Sequence, residues 1–387
     1  MIYLDYASTT PVDKKVLEVM LPYFGEKYAN PSAIYEAGLE ANEAVESSRQ
    51  NIAKFLHCQK DEIIFTSGGT ESDNLAIFGI AKNFKSGHII TSAIEHPAVL
   101  EPCRQLEKEG FKVTYLKPNK KGLISAVQVK EALQKNTILV SIMYANNEIG
   151  TVQPIVEIGR VIQNFRKLKI KNQKLKIEKA YPLFHTDSCQ ATQYLQMDVK
   201  KLGVDLLTIN GSKIYAPKGI GVLFAKNEVD LLPQIIGGEQ EGGLRGGTQN
   251  VPSIVGLSKA VDLISSSKIA REKKLRDYLI KELKQIKGVS INGSLLRRLP
   301  NNVNFSISGV EGESVLLDLD KAGIAVSTGS ACSSRSLKPS HVITTLSSEE
   351  RSHESIRVSL GRFTKKSDLD ILLKHLKKSI KRLRDIS

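Results

Sequence analysis

Residues 61–75 read DEIIFTSGGTESDNL, and this stretch decides the fold class. The apolar residues of 61–66 predict a strand, the glycines of 67–70 predict a turn, and an apolar helix is predicted from Glu71. The same alternation continues along the chain. We expect further strands at 87–92, 111–116, 138–144, 183–187 and 206–209, with helices at 98–109, 125–134 and 155–168. Strands alternating with helices predict an α/β fold with a mainly parallel sheet and helices on both faces.

The pattern changes after this α/β region. A long helix is predicted over 252–286, followed by shorter strands and a final amphipathic helix over 368–386. A chain of 387 residues is long enough for two domains. We therefore expect a large domain of residues 15–251 and a small domain that combines residues 1–14 with 252–387.

Composition indicates a globular enzyme, with 41% hydrophobic and 25% charged residues. No apolar run approaches the length of a membrane span, and the first residues lack the pattern of a secretion signal, so we expect a cytoplasmic protein with no membrane contact. The formal net charge is +14, concentrated at 166–179 and 374–384. These stretches could attract RNA or an acidic protein, but they contain almost no aromatic residues, and a high lysine content explains them equally well. Direct nucleic-acid binding is not expected.

Four cysteines are spread widely along the chain and form no CxxC pair, which argues against a zinc site and a disulfide framework. Cys58 and Cys103 lie in segments with a helical pattern and are interpreted as packing residues, and Cys189 as a small side chain. Cys332 differs, because it lies in the polar stretch VSTGSACSSR, residues 326–335. A loop of this kind beside Arg335 favours a reactive thiolate.

A second chemical signal is the stretch TINGSKIYAPKG, residues 208–219. Lys213 follows an apolar run and lies on a glycine-containing turn, where partial desolvation would lower the pKa of its amine. A neutral amine condenses with aldehydes, so Lys213 is a candidate Schiff-base lysine for pyridoxal 5′-phosphate. The alternative is a surface lysine that follows an edge strand.

The glycine turn at 67–71 offers a site for the phosphate of such a cofactor. Backbone amides around Gly69 and the hydroxyl of Thr70 would hold the phosphate, and the helix dipole would add to the attraction. By itself, a turn of this composition is weak evidence.

The lysine turn and the cysteine loop together resemble the cysteine desulfurases of the NifS/IscS type, in the class V aminotransferase family. The resemblance extends from Tyr3 to Arg384. It implies pyridoxal-phosphate fold type I, with a seven-stranded type of sheet in the large domain and the catalytic cysteine loop in the small one. It also implies conversion of L-cysteine to L-alanine, with Cys332 carrying the sulfur as a persulfide. Sulfur-acceptor proteins of iron–sulfur cluster assembly or tRNA thiolation would then be partners.

The same resemblance implies roles for individual residues. His96 would stack on the cofactor ring and move protons, and Asp187 would pair with the pyridine nitrogen. Gln190 would donate to the phenolate oxygen, and Asn147 would contact the same ring edge or the substrate. Arg357 would bind the substrate carboxylate through its two-pronged guanidinium.

Thr248 matches a residue that reaches the phosphate from a partner subunit, which implies a homodimer. Asn210 and Ser212 stand three residues and one residue before Lys213, where the family commonly has serine and histidine, so a lower cofactor affinity is expected from these two cofactor-binding positions. The short C-terminal tail leaves the sulfur acceptor open. No stable metal site is expected, although Cys332 could be a transient ligand of an iron–sulfur cluster.

Two other readings stay open at this point. One is a different enzyme of the same fold, such as a selenocysteine lyase or an aminotransferase. The other is a catalytically weak sulfur-relay or assembly protein whose main task is to bind partners.

Overall fold

The structure is a computed structural model, and it describes residues 1–173, 181–328 and 339–386. The strands are β1 (Ile2–Tyr3), β2 (Ile63–Thr66), β3 (His88–Ser92), β4 (Lys112–Leu116), β5 (Thr137–Ser141), β6 (Leu183–Asp187), β7 (Leu206–Asn210), β8 (Gly221–Ala225), β9 (Val289–Ile291), β10 (Asn302–Ile307), β11 (Ile324–Ala325) and β12 (Ser355–Ser359).

The helices are α1 (Lys14–Met20), α2 (Pro22–Gly25), α3 (Glu36–Leu56), α4 (Gly69–Ala81), α5 (Pro97–Lys108), α6 (Ala126–Ala132), α7 (Ile155–Gln173), α8 (Val199–Leu202), α9 (Val251–Asp262), α10 (Ser266–Leu283), α11 (Gly312–Lys321), α12 (His341–Leu346), α13 (Glu349–His353) and α14 (Lys366–Ile386). Within the described ranges, no helix has both the length and the apolar character needed to cross a bilayer.

A seven-stranded sheet forms the centre of the fold, in the order β2-β8-β7-β6-β5-β3-β4. The neighbours from β7 to β4 all pair in parallel, whereas β8 is antiparallel to both β2 and β7. Strands β3 and β5 are buried along their whole length and β7 is buried except at Asn210, as expected for a sheet covered by helices on both faces. The predicted α/β class with a mainly parallel sheet is confirmed.

A smaller antiparallel sheet, in the order β12-β10-β9, lies in the C-terminal part of the chain. The N-terminal strand β1 pairs in parallel with β11, which places the start of the chain beside this sheet. One apolar cluster joins them and includes Leu4, Phe305, Val358 and Leu376. The first residues therefore pack with the last third of the chain.

The single helix predicted over 252–286 is wrong. Two helices occupy this stretch, because α9 ends at Asp262 and α10 begins at Ser266. Three consecutive serines, at 265–267, mark the break. Serine hydroxyls compete with the helical backbone for hydrogen bonds, which favours a helix end at such a run.

Candidate active site

The site is built where five strands end. Strands β2, β3, β5, β6 and β7 run in one direction, so their carboxyl ends share one edge of the sheet. This edge is where open α/β sheets bind ligands. The segments that leave it carry Gly69, His96, Asn147, Asp187 and Lys213.

The turn between β2 and α4 forms a cradle at the start of the helix. The amide of Ser72 makes the first helical hydrogen bond, to the carbonyl of Gly68, so the amides before it point out of the helix end. A Cβ atom at Gly69 would lie 2.7 Å from Sγ of Cys189 and 3.4 Å from Asn210. The floor of the cradle therefore has no room for a side chain. Thr70 lies exposed beside it.

Lys213 ends a 3₁₀ turn, Gly211–Lys213, which follows β7. The side chain of Asn210 caps this turn, because its Oδ1 accepts from the Ser212 amide at 3.2 Å and the Ser212 hydroxyl at 3.1 Å. Nζ of Lys213 donates to the carbonyl of Ser8. The buried Tyr215 has φ of 68°, a strained value for a non-glycine residue that neighbouring contacts must hold in place.

Several contacts fix that strained residue. The amide of Tyr215 donates to the Thr10 hydroxyl at 2.8 Å, and its own hydroxyl accepts from the Arg362 amide at 2.7 Å. The guanidinium of Arg362 lies 4.2 Å from the centre of the Tyr215 ring. Three contacts thus hold Tyr215, two residues after Lys213, and so fix the backbone of the lysine turn.

Asp187 is buried at the carboxyl end of β6, and its Oδ1 accepts from the Cys189 amide at 2.8 Å. Gln190 follows on the same turn, and its Nε2 donates to the carbonyl of Ala7 at 2.9 Å. Burial raises the pKa of the Cys189 thiol, and the charge of Asp187 raises it further, so this thiol stays protonated. Cys189 therefore fills space under the cradle, in keeping with its interpretation as a small side chain.

His96 caps α5 and also faces the site. Its Nδ1 accepts from the amide of Ala98 at 3.1 Å, so in the neutral ring the proton lies on Nε2. Burial lowers the pKa of His96; the charge of Asp187 opposes this, while Lys213 and His341 lower it further. His96 can therefore cap the helix and face the site at once, because the two roles use different atoms of the ring.

Arg357 lies on β12 and is almost fully buried, with 1% of its surface exposed. Its Nη2 donates to Asp5 at 2.8 Å and to the Ser8 hydroxyl at 2.7 Å, and its Nη1 donates to the carbonyl of Asn147 at 3.0 Å. Because Lys213 also contacts Ser8, the predicted cofactor lysine and the predicted carboxylate-binding arginine meet on one residue.

The N-terminal segment is thus a wall of the site that sequence reasoning missed. Asp5, Ala7 and Ser8 contact Arg357, Gln190 and Lys213 respectively. The family resemblance covers this segment from Tyr3 onward, but none of the predicted site residues lies in it. A short polar sequence far from the other motifs gives no local signal of such contacts.

Thr248 is exposed, in a loop that Arg245 ties to the cradle helix through Glu71, at 3.0 Å. Cys332 lies outside the described residues, as do 329–338 as a whole. Among the residues that the structure describes, no three histidine, cysteine or acidic side chains are grouped to hold a metal ion.

These features suit pyridoxal 5′-phosphate. The side-chain-free floor at Gly69 and the amides at the start of α4 match a phosphate. A buried carboxylate, Asp187, and a lysine on a rigid turn lie at the same sheet edge. An arrangement of this kind defines an α/β enzyme in which a lysine binds the cofactor.

The chain belongs to the class-V aminotransferase family, whose model, described as "Aminotransferase class-V", matches residues 2–372. It is 48% identical over 394 residues to "Cysteine desulfurase IscS" of Dictyoglomus turgidum, covering 100% of this chain and 96% of that protein. It is 46% identical over 392 residues to "Cysteine desulfurase IscS" of Methanosarcina thermophila, covering 100% and 93%.

Solved structures agree with this assignment. One described as "NIFS-LIKE PROTEIN" superimposes with a TM-score of 0.87 at 34% identity, covering 99% of both chains. Another, "SspA in complex with cysteine", has a TM-score of 0.82 at 39% identity and covers 94% of this chain and 100% of that one. The resemblance to cysteine desulfurases expected from the sequence is confirmed.

Proposed function

We propose that this protein is a pyridoxal-phosphate-dependent cysteine desulfurase, which takes sulfur from L-cysteine and releases L-alanine. The observation that carries the proposal is the meeting of Lys213, Asp187 and His96 at one sheet edge beside the Gly69 cradle. Family membership and cysteine desulfurase relatives over the full length support it.

The cofactor site is assigned as follows. Amides at Gly69 and Thr70 would hold the phosphate, with Ser212 and Asn210 beside it, and Asp187 would pair with the ring nitrogen. His96, Gln190 and Asn147 would contact the ring or its edge. When bound, the cofactor supplies an electron sink for charge that develops on the substrate.

The chain's own groups then position substrate and move protons. Arg357 binds the substrate carboxylate. Its present partner Asp5 partly offsets the charge of this buried guanidinium, so the substrate carboxylate has to compete with that ion pair. Nε2 of His96 carries the proton in the neutral ring, and the lowered pKa of His96 keeps the ring neutral, so Nε2 donates a hydrogen bond while Nδ1 stays bound to the Ala98 amide. Proton movement on the substrate therefore falls to the amine of Lys213.

Sulfur transfer uses the Cys332 thiolate as nucleophile. Its sulfur attacks the sulfur of the substrate, an S–S bond forms, and the carbon–sulfur bond of cysteine breaks. The bonding electron pair stays with carbon, which takes up a proton to give alanine, while Cys332 holds the persulfide.

A reactive thiol of this kind works in a reducing compartment, so the cytoplasm is the expected location of the protein.

The functional unit is proposed to be a homodimer. Large apolar side chains are exposed over one short stretch of the chain: Leu17, Leu21, Phe24, Tyr28, Ile34, Tyr35 and Leu39. Contiguous apolar surface on a monomer commonly marks an interface. A second copy would cover it, and the exposed Thr248 could then reach the partner's cradle.

The proposal includes two further parts. One is the split into a large domain of residues 15–251 and a small domain that combines residues 1–14 with 252–387. The other is the set of sulfur-acceptor proteins.

The test is a single turnover of the holoenzyme with L-cysteine. Alanine should form in a one-to-one ratio with a persulfide, which peptide mass mapping should locate on Cys332. Cys332→Ser should keep the cofactor absorbance and lose both products, while Cys58→Ser, at a half-buried cysteine, serves as the matched control and should retain them. Undiminished alanine and sulfide formation by Cys332→Ser would remove this residue from the mechanism.

A further inference from the structure

A buried polar pair lies behind Asp187 and has no role in the site described so far. Asp73, on α4, is 1% exposed, and His185, on β6, is fully buried. Oδ1 of Asp73 lies 3.5 Å from Nε2 of His185 and makes no hydrogen bond among the described residues. The other ring contacts of His185 are hydroxyls, from Nδ1 to Ser141 at 2.8 Å and from Nε2 to Thr208 at 3.1 Å.

The position of this pair connects the two ends of the cofactor site. Asp73 lies one helical turn after Gly69 and Thr70, so it is rigidly joined to the phosphate cradle. His185 precedes Asp187 by two residues on one strand, so both side chains lie on the same face of the sheet. Contact between Asp73 and His185 therefore sets the separation between the cradle and the partner of the ring nitrogen.

The contacts favour an uncharged pair over an ion pair. A charge-assisted hydrogen bond between histidine and a carboxylate would be about 2.7–2.9 Å long, shorter than the separation seen here. Hydroxyls of Ser141 and Thr208 can donate to or accept from a neutral imidazole. With Asp187 ionised nearby, a second charge on Asp73 in the same dry region would be strongly unfavourable.

The directions of the pKa shifts of Asp73 and His185 agree with an uncharged pair. Burial raises the pKa of the Asp73 carboxyl well above its usual range and the charge of Asp187 raises it further, against a hydrogen bond to Thr208 that lowers it. Burial lowers the pKa of His185 to about 4, against a weaker opposing effect of Asp187. The raised pKa of Asp73 favours its protonated form, and the pKa of about 4 keeps His185 neutral near pH 7.

We propose that Asp73, as a neutral acid, and neutral His185 form a positioning pair. The pair fixes the phosphate cradle relative to Asp187 and leaves Asp187 as the negative charge that faces the cofactor ring. This inference rests on the proposed function, because it assumes that pyridoxal 5′-phosphate lies between Gly69 and Asp187.

The first test measures pyridoxal-phosphate release from the full-length holoenzyme by absorbance. Asp73→Asn preserves the shape and hydrogen bonding of a neutral acid, so its cofactor dissociation constant should stay within about twofold of wild type, whereas Asp73→Ala should weaken binding about tenfold. Leu75→Ala, a buried truncation on the same helix, controls for lost packing and should retain wild-type affinity. Equal losses in Asp73→Asn and Asp73→Ala would overturn the proposal, and so would wild-type affinity in Asp73→Ala.

A second test reads the charge directly, by ¹⁵N NMR of the histidine rings in the holoenzyme. His88 is a matched reference, since it is buried on β3 between the hydroxyls of Thr137 and Thr114, each at 2.9 Å. His185 should be neutral like His88 near pH 7, in wild type and in Asp73→Asn. A protonated His185 in wild type would overturn the proposal even if Asp73→Ala failed to fold. Failure of wild type to bind pyridoxal 5′-phosphate would instead refute the proposed function.

Discussion

Glu272→Gln should stabilise the protein at pH 8 and leave its stability at pH 4.5 nearly unchanged. Glu272 is fully buried on α10, and its Oε2 accepts from the Tyr194 hydroxyl at 3.0 Å. Oε1 has no hydrogen-bond partner among the described residues. A glutamine would keep the contact with Tyr194 and remove the ionisable group.

The magnitude follows from the pKa of the buried acid. Burial raises the pKa of Glu272 from 4.5 to about 7, although Tyr194 and the charges of Arg362, Arg271 and Lys268 lower it. The folded state therefore holds this proton more tightly than the unfolded chain, so stability is lost as pH rises from about 4.5 through about 7. Since each tenfold difference in proton affinity corresponds to about 1.4 kcal/mol, the full loss above pH 7 is about 3 kcal/mol.

The assay is urea unfolding of wild type and Glu272→Gln holoenzyme at pH 4.5, 6 and 8. The free energy of unfolding of the variant should exceed that of wild type by an amount that grows across this series to about 3 kcal/mol. Glu282→Gln, at a partly exposed position on the same helix, is the control and should change stability by less than about 0.5 kcal/mol at each pH. An equal effect of Glu272→Gln at all three pH values would refute the reasoning, because the effect would not depend on ionisation.

Two further predictions concern the site. Borohydride reduction of the holoenzyme followed by peptide mapping should label Lys213, and Lys213→Ala should abolish the label; label on the exposed Lys218 instead would refute the assignment. Arg357→Ala should weaken L-cysteine binding about 10- to 100-fold in a spectroscopic titration, from loss of a charge-assisted contact, while the cofactor stays bound. Arg357→Lys should recover only part of the affinity for L-cysteine, because the point charge of a lysine lacks the two-pronged geometry of a guanidinium. Wild-type affinity in Arg357→Ala would make this arginine purely structural.

Local sequence signals predicted the main parts of the fold. Strand β6 was predicted with its observed bounds, and the β2–turn–α4 unit was predicted with the helix starting two residues late. Each of these elements combines an apolar run with a glycine or polar boundary, so the information is contained in a few neighbouring residues. The break between α9 and α10 was missed because the apolar pattern continues on both sides of the serines.

Contacts between distant segments could not be predicted in this way. Asp73 lies in the polar stretch TESDN and His185 lies on a strand, and neither stretch indicates that the other lies beside it. The same holds for Ser8, whose contacts with Lys213 and Arg357 depend on how β1 and β12 are brought together. A family resemblance assigns roles to matching positions, but packing decides which groups hold them in place.

The pairing of β1 with β11 has a consequence for the order of assembly during synthesis. Leu4 and Ala7 leave the ribosome more than 300 residues before their partners: the amide of Leu4 donates to Ala325, and the amide of Ala7 donates to Ser359. Domains generally fold from the N-terminus as the chain emerges. Here the wall that supports Lys213 and Arg357 can close only after Ser359 has emerged, so the nascent protein completes its cofactor pocket well after the last strand of the seven-stranded sheet, β8, has been made.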